Sequence, residues 1–147
     1  MEWRSRGRTS ADHLAERART FAERGEEACR ALRDVPGIKV NPAQGAFYTT
    51  VLFEPGTLNG RNRLPISEQP LRETVERQCK GAAPDARFVY QLLGSTGICV
   101  VPLSGFCSPH PGFRFTLLET DDTKRAWISH TLADALNEYA ESGSRAA

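Results

Sequence analysis

The chain has 147 residues, of which 39% are hydrophobic and 25% charged, and its formal net charge is +1. This length and composition are typical of one globular domain. The small net charge argues against a nucleic-acid partner, because proteins that bind the phosphate backbone usually carry a basic excess. No apolar run reaches the roughly 20 residues of a membrane span, so no membrane partner is predicted.

The first half of the chain predicts one long helix and two strands. Residues 10–33 repeat apolar side chains at three- and four-residue steps, and Ser10 is a suitable N-cap. A short strand is predicted at residues 38–40. A second is predicted at residues 46–53, which are rich in β-branched and aromatic side chains. Residues 54–70 contain several turn dipeptides and are expected to form an exposed loop.

The second half predicts three more helices and two strands. Residues 68–80 form a polar helix, and Asp85 caps the next one. Strands are predicted at residues 98–101 and 113–118. Asp121 or Asp122 caps the last helix, which precedes a polar tail.

The order of these elements predicts an α/β (α+β) fold, with a small open sheet, mostly antiparallel or mixed, packed by helices. The predicted organisation is a flexible segment (1–9), one domain (10–140) and a tail (141–147).

The cysteine and histidine residues give no sign of a metal site. Cys29, Cys79, Cys99 and Cys107 form no CxxC pair and have no histidine at zinc-binding spacing. No secretory signal supports an oxidising compartment, so we expect reduced thiols, with Cys99 in the core. The arginine-rich start is interrupted by Glu2, which favours a cytoplasmic over a mitochondrial location.

Arg114 is the strongest candidate for a functional side chain. It alternates with Phe113 and Phe115 in an apolar strand, where a guanidinium group is costly to bury unless it meets an anion. Its planar fork fits a carboxylate in a bidentate pair. The pattern leaves two interpretations open: a carboxylate ligand, or a structural role facing solvent or an internal acid. The loop at residues 102–112 is expected to shape the mouth of a pocket.

Several short motifs follow one another along the chain, and their order is more specific than any one of them. They are VPGIKVNP at residues 35–42, QGAFY at 44–48, APD at 83–85, TGICVVP at 96–102 and SGF at 104–106. Together they resemble the C-terminal small domain of class-I pyridoxal-phosphate aminotransferases, most closely the alanine aminotransferase branch. The resemblance covers residues 14–139.

This resemblance implies a domain that closes over substrate held on a large domain. Arg114 would bind the substrate α-carboxylate, and Phe47 and Tyr48 would line the pocket or pack in the core. The implied cofactor is pyridoxal 5'-phosphate. The implied substrates are an amino acid, alanine, and a 2-oxo acid, 2-oxoglutarate. The complete protein would be a homodimer.

No residue of the chain matches a catalytic, metal-binding or cofactor-binding position of that family, including its Schiff-base lysine. The chain alone is therefore expected to be inactive. The alternative is a non-catalytic module with the same fold, which binds a carboxylate or dimerises without turnover.

Overall fold

The computed structural model describes residues 9–145, and this part of the chain contains four α-helices and a four-stranded sheet. In chain order the elements are α1 (Ser10–Leu32), β1 (Ile38–Asn41), β2 (Tyr48–Phe53), α2 (Gln69–Cys79), α3 (Pro84–Thr96), β3 (Val101–Pro102), a 3-10 helix (Leu103–Phe106), β4 (Gly112–Thr116) and α4 (Asp122–Arg145). The predicted flexible segment (1–9), apart from Thr9, and residues 146–147 of the predicted tail lie outside the described residues. None of the described helices is long and apolar enough to cross a membrane.

The sheet has the strand order β1-β2-β4-β3, and every neighbouring pair is antiparallel. Val51 of β2 lies opposite Val40 of β1 and Phe113 of β4. Because side chains alternate between the two faces of a strand, this register places all three on one face. The prediction of an α+β fold with a small open sheet is confirmed, and the sheet is antiparallel throughout.

The hydrophobic core lies between that face and helices α1, α3 and α4. Phe88 of α3 is fully buried, with its ring centroid 5.2 Å from that of Phe53, 5.3 Å from Phe113 and 5.1 Å from Tyr139. Burying one such side chain contributes about 1.5–3 kcal/mol. These aromatic contacts join α3 and α4 to the sheet. The opposite face of the sheet carries Arg114.

The N-cap of α1 is Thr9, so the prediction of Ser10 was wrong. The Thr9 hydroxyl accepts a hydrogen bond from the Asp12 amide at 3.2 Å, and the Asp12 carboxylate accepts one from the Thr9 amide at 3.1 Å. This reciprocal pair satisfies two amides that the helix leaves without partners. The first half of α1 does not join the core, since Leu14 is 66% exposed.

The predicted strands were too long at three of their ends, one of which is the end of β4, where residues 117–118 lie outside the strand. Ala46 and Phe47 lie in a turn, and β2 begins at Tyr48. Strand β3 contains only Val101 and Pro102, because residues 97–100 have no ladder partner. Cys99 is exposed in this stretch, which contradicts its predicted burial.

Asp85 lies inside the first turn of α3, so the prediction that it caps this helix was also wrong. The N-cap is Ala83. Helix α4 has the N-cap predicted for it, since the Asp121 carboxylate accepts a hydrogen bond from the Lys124 amide at 2.8 Å. This helix continues to Arg145, so residues 141–145 of the predicted tail are helical.

The segment between β2 and α2 is a loop, as predicted, but it is not exposed throughout, because Asn62, Leu64 and Ile66 are buried. Asn62 is 1% exposed, and its side-chain amide donates to the carbonyl oxygens of Tyr139 and Thr57 at 2.9 and 3.1 Å. The Leu64 amide donates to the Gln91 side chain at 2.8 Å. The segment has no helix or strand, yet these bonds fix it to α3 and α4.

Candidate functional site

The antiparallel register fixes the direction of the Arg114 side chain. Arg114 lies opposite Thr50 of β2 and Val101 of β3. Its neighbours Phe113 and Phe115 point to the helix-covered face, where both belong to the core or pack against it. Strand alternation therefore sends Arg114 to the other face.

Two aromatic rings contact the Arg114 guanidinium group. Its Cζ atom lies 3.7 Å from the ring centroid of Phe106 and 4.6 Å from that of Tyr48. Such contacts attract the cation to the electron-rich ring face and hold its plane. The terminal N–H groups make no hydrogen bond to residues 9–145, so they are available to a ligand.

The positive charge of Arg114 has no compensating carboxylate within 4.0 Å among residues 9–145. Its Nε–H group is buried and donates no hydrogen bond in the described part of the chain. A buried donor without a partner is destabilising. This is the state expected of a group whose partner is a ligand.

The Tyr48 side chain lies next to Arg114, and the Phe47 side chain lies farther away. Tyr48 contacts the guanidinium directly, and the Phe47 ring packs on Tyr48 with centroids 4.6 Å apart. On its other side Phe47 meets Phe21 of α1 at 6.1 Å. The structure thus brings the three predicted site residues together in one cluster, in which Phe47 contacts Tyr48 and Tyr48 contacts the Arg114 cation.

Phe106 is a member of this cluster that the sequence reasoning missed. It is 48% exposed and belongs to the 3-10 helix that follows β3. The SGF motif includes it, but nothing in that motif signals contact with Arg114. The contact depends on how the loop from the 3-10 helix to β4 is held.

The carboxylate of Asp85 holds both ends of this loop. It is 1% exposed, and its Oδ2 atom accepts hydrogen bonds from the amides of Ser104 at 2.9 Å and Gly112 at 3.3 Å. Its Oδ1 atom accepts one from the Ala86 amide at 2.9 Å. A carboxylate in the first turn of a helix is also favoured by the helix dipole. Asp85 therefore positions the segment that carries Phe106.

The aromatic residues of the cluster are attached to strained backbone. Ala46 comes before Phe47 and Tyr48, Cys107 follows Phe106, and both have a φ of 58°. Residues with a Cβ atom rarely adopt this left-handed conformation, which costs about 1 kcal/mol each. Positive φ at non-glycine residues often accompanies functional sites.

The sequence of this chain matches known enzymes over most of its length, although no family model matches it. It is 50% identical over 127 residues to an uncharacterized aminotransferase of Methanocaldococcus jannaschii, which covers 86% of this chain and 29% of that protein. The chain belongs to the aminotransferases.

Two further comparisons place this aminotransferase chain. It is 35% identical over 133 residues to alanine aminotransferase 1 of Rattus norvegicus, covering 85% of the chain and 24% of that protein. The crystal structure of an aminotransferase from Escherichia coli matches its fold with a TM-score of 0.57 and 19% identity, over 82% of this chain and 24% of that one. The chain spans less than a third of the length of each relative, and it fits a C-terminal small domain.

The lysines of this aminotransferase chain do not fit a cofactor Schiff base. A lysine in that role needs a lowered pKa in a secluded site. Lys39 is exposed and lies 3.6 Å from Glu54. Lys80 is exposed at the end of α2, and a hydrogen bond from Lys124 to Glu119 raises the pKa of the Lys124 amine. Residues 9–145 also contain no cluster of His, Cys, Asp and Glu that could hold a metal ion.

Proposed function

We propose that this chain is the carboxylate-recognition part of a pyridoxal-phosphate aminotransferase. The complete enzyme would move an amino group between an amino acid, alanine, and a 2-oxo acid, 2-oxoglutarate. The observation that carries the proposal is Arg114, whose charge lacks a carboxylate partner within residues 9–145 and whose plane is held by Tyr48 and Phe106. Similarity to alanine aminotransferases supports alanine as the amino acid, and 2-oxoglutarate is the 2-oxo acid that the family resemblance implies.

In this proposal, Arg114 donates two parallel hydrogen bonds to the α-carboxylate of the substrate. The two terminal N–H groups, which bond to no residue among 9–145, form the two donors of such a fork. The rings of Tyr48 and Phe106 prevent rotation of the guanidinium plane and exclude water from its faces. The chain thereby orients the substrate, and orientation of this kind can lower a barrier by several kcal/mol.

No lysine of this chain fits the Schiff-base role, so we assign the reactive pyridoxal-phosphate site to another part of the enzyme. We propose that the complete protein is a homodimer, as the resemblance implies, and that it is cytoplasmic, since Glu2 interrupts the arginine-rich start. A non-catalytic carboxylate-binding module is the second candidate, because the Arg114 cluster could bind a carboxylate without turnover. Catalysis by a full-length protein that contains this segment separates the two candidates.

The decisive experiment is Arg114→Lys in such a full-length protein. Lysine keeps the charge but loses the two-pronged donor, which should cost about 1.5–3 kcal/mol, or about tenfold to over a hundredfold in kcat/KM. The matched control is Arg17→Lys, since Arg17 also lies over an aromatic ring, Phe21, at 5.4 Å. It should leave kcat/KM unchanged.

Cofactor absorbance is recorded for both variants, and neither should change it. Turnover of Arg114→Lys within twofold of the wild type would refute the proposed role, as would a parallel loss of bound cofactor. The 147-residue chain alone should show no transamination with added pyridoxal phosphate. A stoichiometric, borohydride-trapped adduct on one lysine accompanied by turnover would contradict this.

A further inference from the structure

A second candidate site lies away from the Arg114 cluster and shares no residue with it. It is a groove of about 870 Å³ between α2, the start of α3 and the segment before α2. Leu64, Ile66 and Val75 form an apolar floor, and all three are buried. The groove is large enough for a small organic molecule.

The rim of this groove is strongly basic. Four cations line it, and Glu76 is the acid among its lining residues. The cations are Arg63, Arg72, Lys80 and Arg87. This excess is local, because the whole chain carries a net charge of only +1.

The hydrogen bonds of these arginines leave their charges uncompensated. Arg63 and Arg87 both donate to the Gly60 carbonyl oxygen, at 3.2 and 2.9 Å, and Arg72 donates to that of Ile66 at 3.3 Å. In the part of the chain that the structure describes, none of the four cations lies within 4.0 Å of a carboxylate. The Nε atom of Arg87 is buried and has no hydrogen-bond partner among residues 9–145.

The remaining titratable group of the groove does not supply the missing negative charge. Burial raises the pKa of the Cys79 thiol, which therefore stays neutral near pH 7. Its sulfur lies 3.8 Å from the Arg87 carbonyl oxygen, to which the thiol donates. An external anion is the group that would balance this charge.

We propose that this groove binds a small molecule that carries a phosphate ester or pyrophosphate group next to an apolar portion. Several cations around one cavity favour a multiply charged anion over a single carboxylate. Phosphate oxygens accept from several guanidinium and ammonium donors at once, and arginine is well suited to this geometry. The apolar floor would receive the uncharged part of the ligand.

The test is a titration of the full chain with pyrophosphate, in which binding is measured from the amide chemical shifts in NMR spectra. Saturable shifts should concentrate at residues 60–67 and 79–91 and weaken as salt is added. Arg87→Gln should weaken binding about tenfold, since it removes one charge-assisted donor. Arg87 also donates a hydrogen bond to the Gly60 carbonyl oxygen, whereas the ammonium group of Lys80 makes no bond to the described residues. Lys80→Gln is therefore used as a second variant. It should weaken binding severalfold.

The matched control is Arg77→Gln. Arg77 lies on the same helix α2 but outside the groove, and it bonds to Thr74. This variant should bind pyrophosphate like the wild type. Equal losses in Arg77→Gln and Lys80→Gln, or shifts spread evenly over the surface, would overturn the proposal. Citrate tests the chemical class: binding as tight as that of pyrophosphate would overturn the assignment to phosphate.

Discussion

Replacing Asp85 with asparagine tests whether this buried carboxylate holds the loop that carries Phe106. The wild-type carboxylate accepts three backbone hydrogen bonds, from Ala86, Ser104 and Gly112. Asparagine keeps the shape of the side chain but has one acceptor oxygen and no charge. If that oxygen stays between the amides of Ser104 and Gly112, the bond from Ala86 is lost and the other two lose their charge assistance.

The cost can be worked out from these three bonds. A hydrogen bond to a charged group contributes about 1.5–3 kcal/mol, and one between neutral groups about 0.5–1.5 kcal/mol. One lost bond and two weakened bonds would then cost about 4 kcal/mol. Asparagine avoids the penalty of burying a charge, which offsets part of this loss. We expect the free energy of unfolding to fall by about 2–3 kcal/mol.

Urea unfolding followed by circular dichroism measures this change, with the slope m as a check on two-state behaviour. The matched control is Asp134→Asn, because Asp134 is exposed on α4. It should change the free energy of unfolding by less than about 0.5 kcal/mol. If Asp85→Asn is equally mild, the carboxylate does not hold the loop and the reasoning fails.

Three further predictions concern other parts of the fold. Gly112→Ala should lower the free energy of unfolding by about 2 kcal/mol or more in urea titrations, because its Cβ would overlap a β2 carbonyl oxygen, whereas Gly105→Ala has open space and should be nearly neutral. Burial raises the pKa of Tyr139 to about 12 from 10.0, so an unfolded chain ionises first and stability falls between pH 10 and 12. In urea titrations at each pH, the free energy of unfolding of Tyr139→Phe should fall by up to about 3 kcal/mol less than that of the wild type. Equal pH profiles of the two proteins would contradict this. Mass spectrometry after treatment with iodoacetamide at pH 8 should show that exposed Cys107 is modified before Cys79, because the raised pKa of Cys79 lowers the fraction of its thiol that is ionised. Modification in the reverse order would disprove this.

Elements with a clear periodic pattern could be predicted from the sequence. The alternation of Phe113, Arg114 and Phe115 placed a strand there and sent the arginine to the face opposite its neighbours, as the structure shows. The three- and four-residue spacing of apolar side chains likewise located α1 and α4. These patterns depend on local geometry, so they do not require knowledge of the rest of the chain.

Features that depend on distant partners could not be predicted in this way. The run at residues 98–101 has the composition of a strand, but only its last residue finds a partner on β4. The segment before α2 has turn composition, yet Asn62 and Leu64 are buried in it and bond to distant helices. Phe106 reaches Arg114 only because Asp85 ties its loop to α3. One local signal was overlooked: Asp12 stands three residues after Thr9, the spacing of a reciprocal cap.

The left-handed backbone conformation of Ala46 and Cys107 affects how this sequence responds to selection. Glycine at either position would relieve about 1 kcal/mol of strain, so a screen for heat resistance would tend to favour it. The same change would free the backbone on either side of Arg114, where the rings of Tyr48 and Phe106 set the guanidinium plane. Selection for stability alone and selection for a fixed orientation of the Arg114 guanidinium group would therefore favour different residues at these two positions.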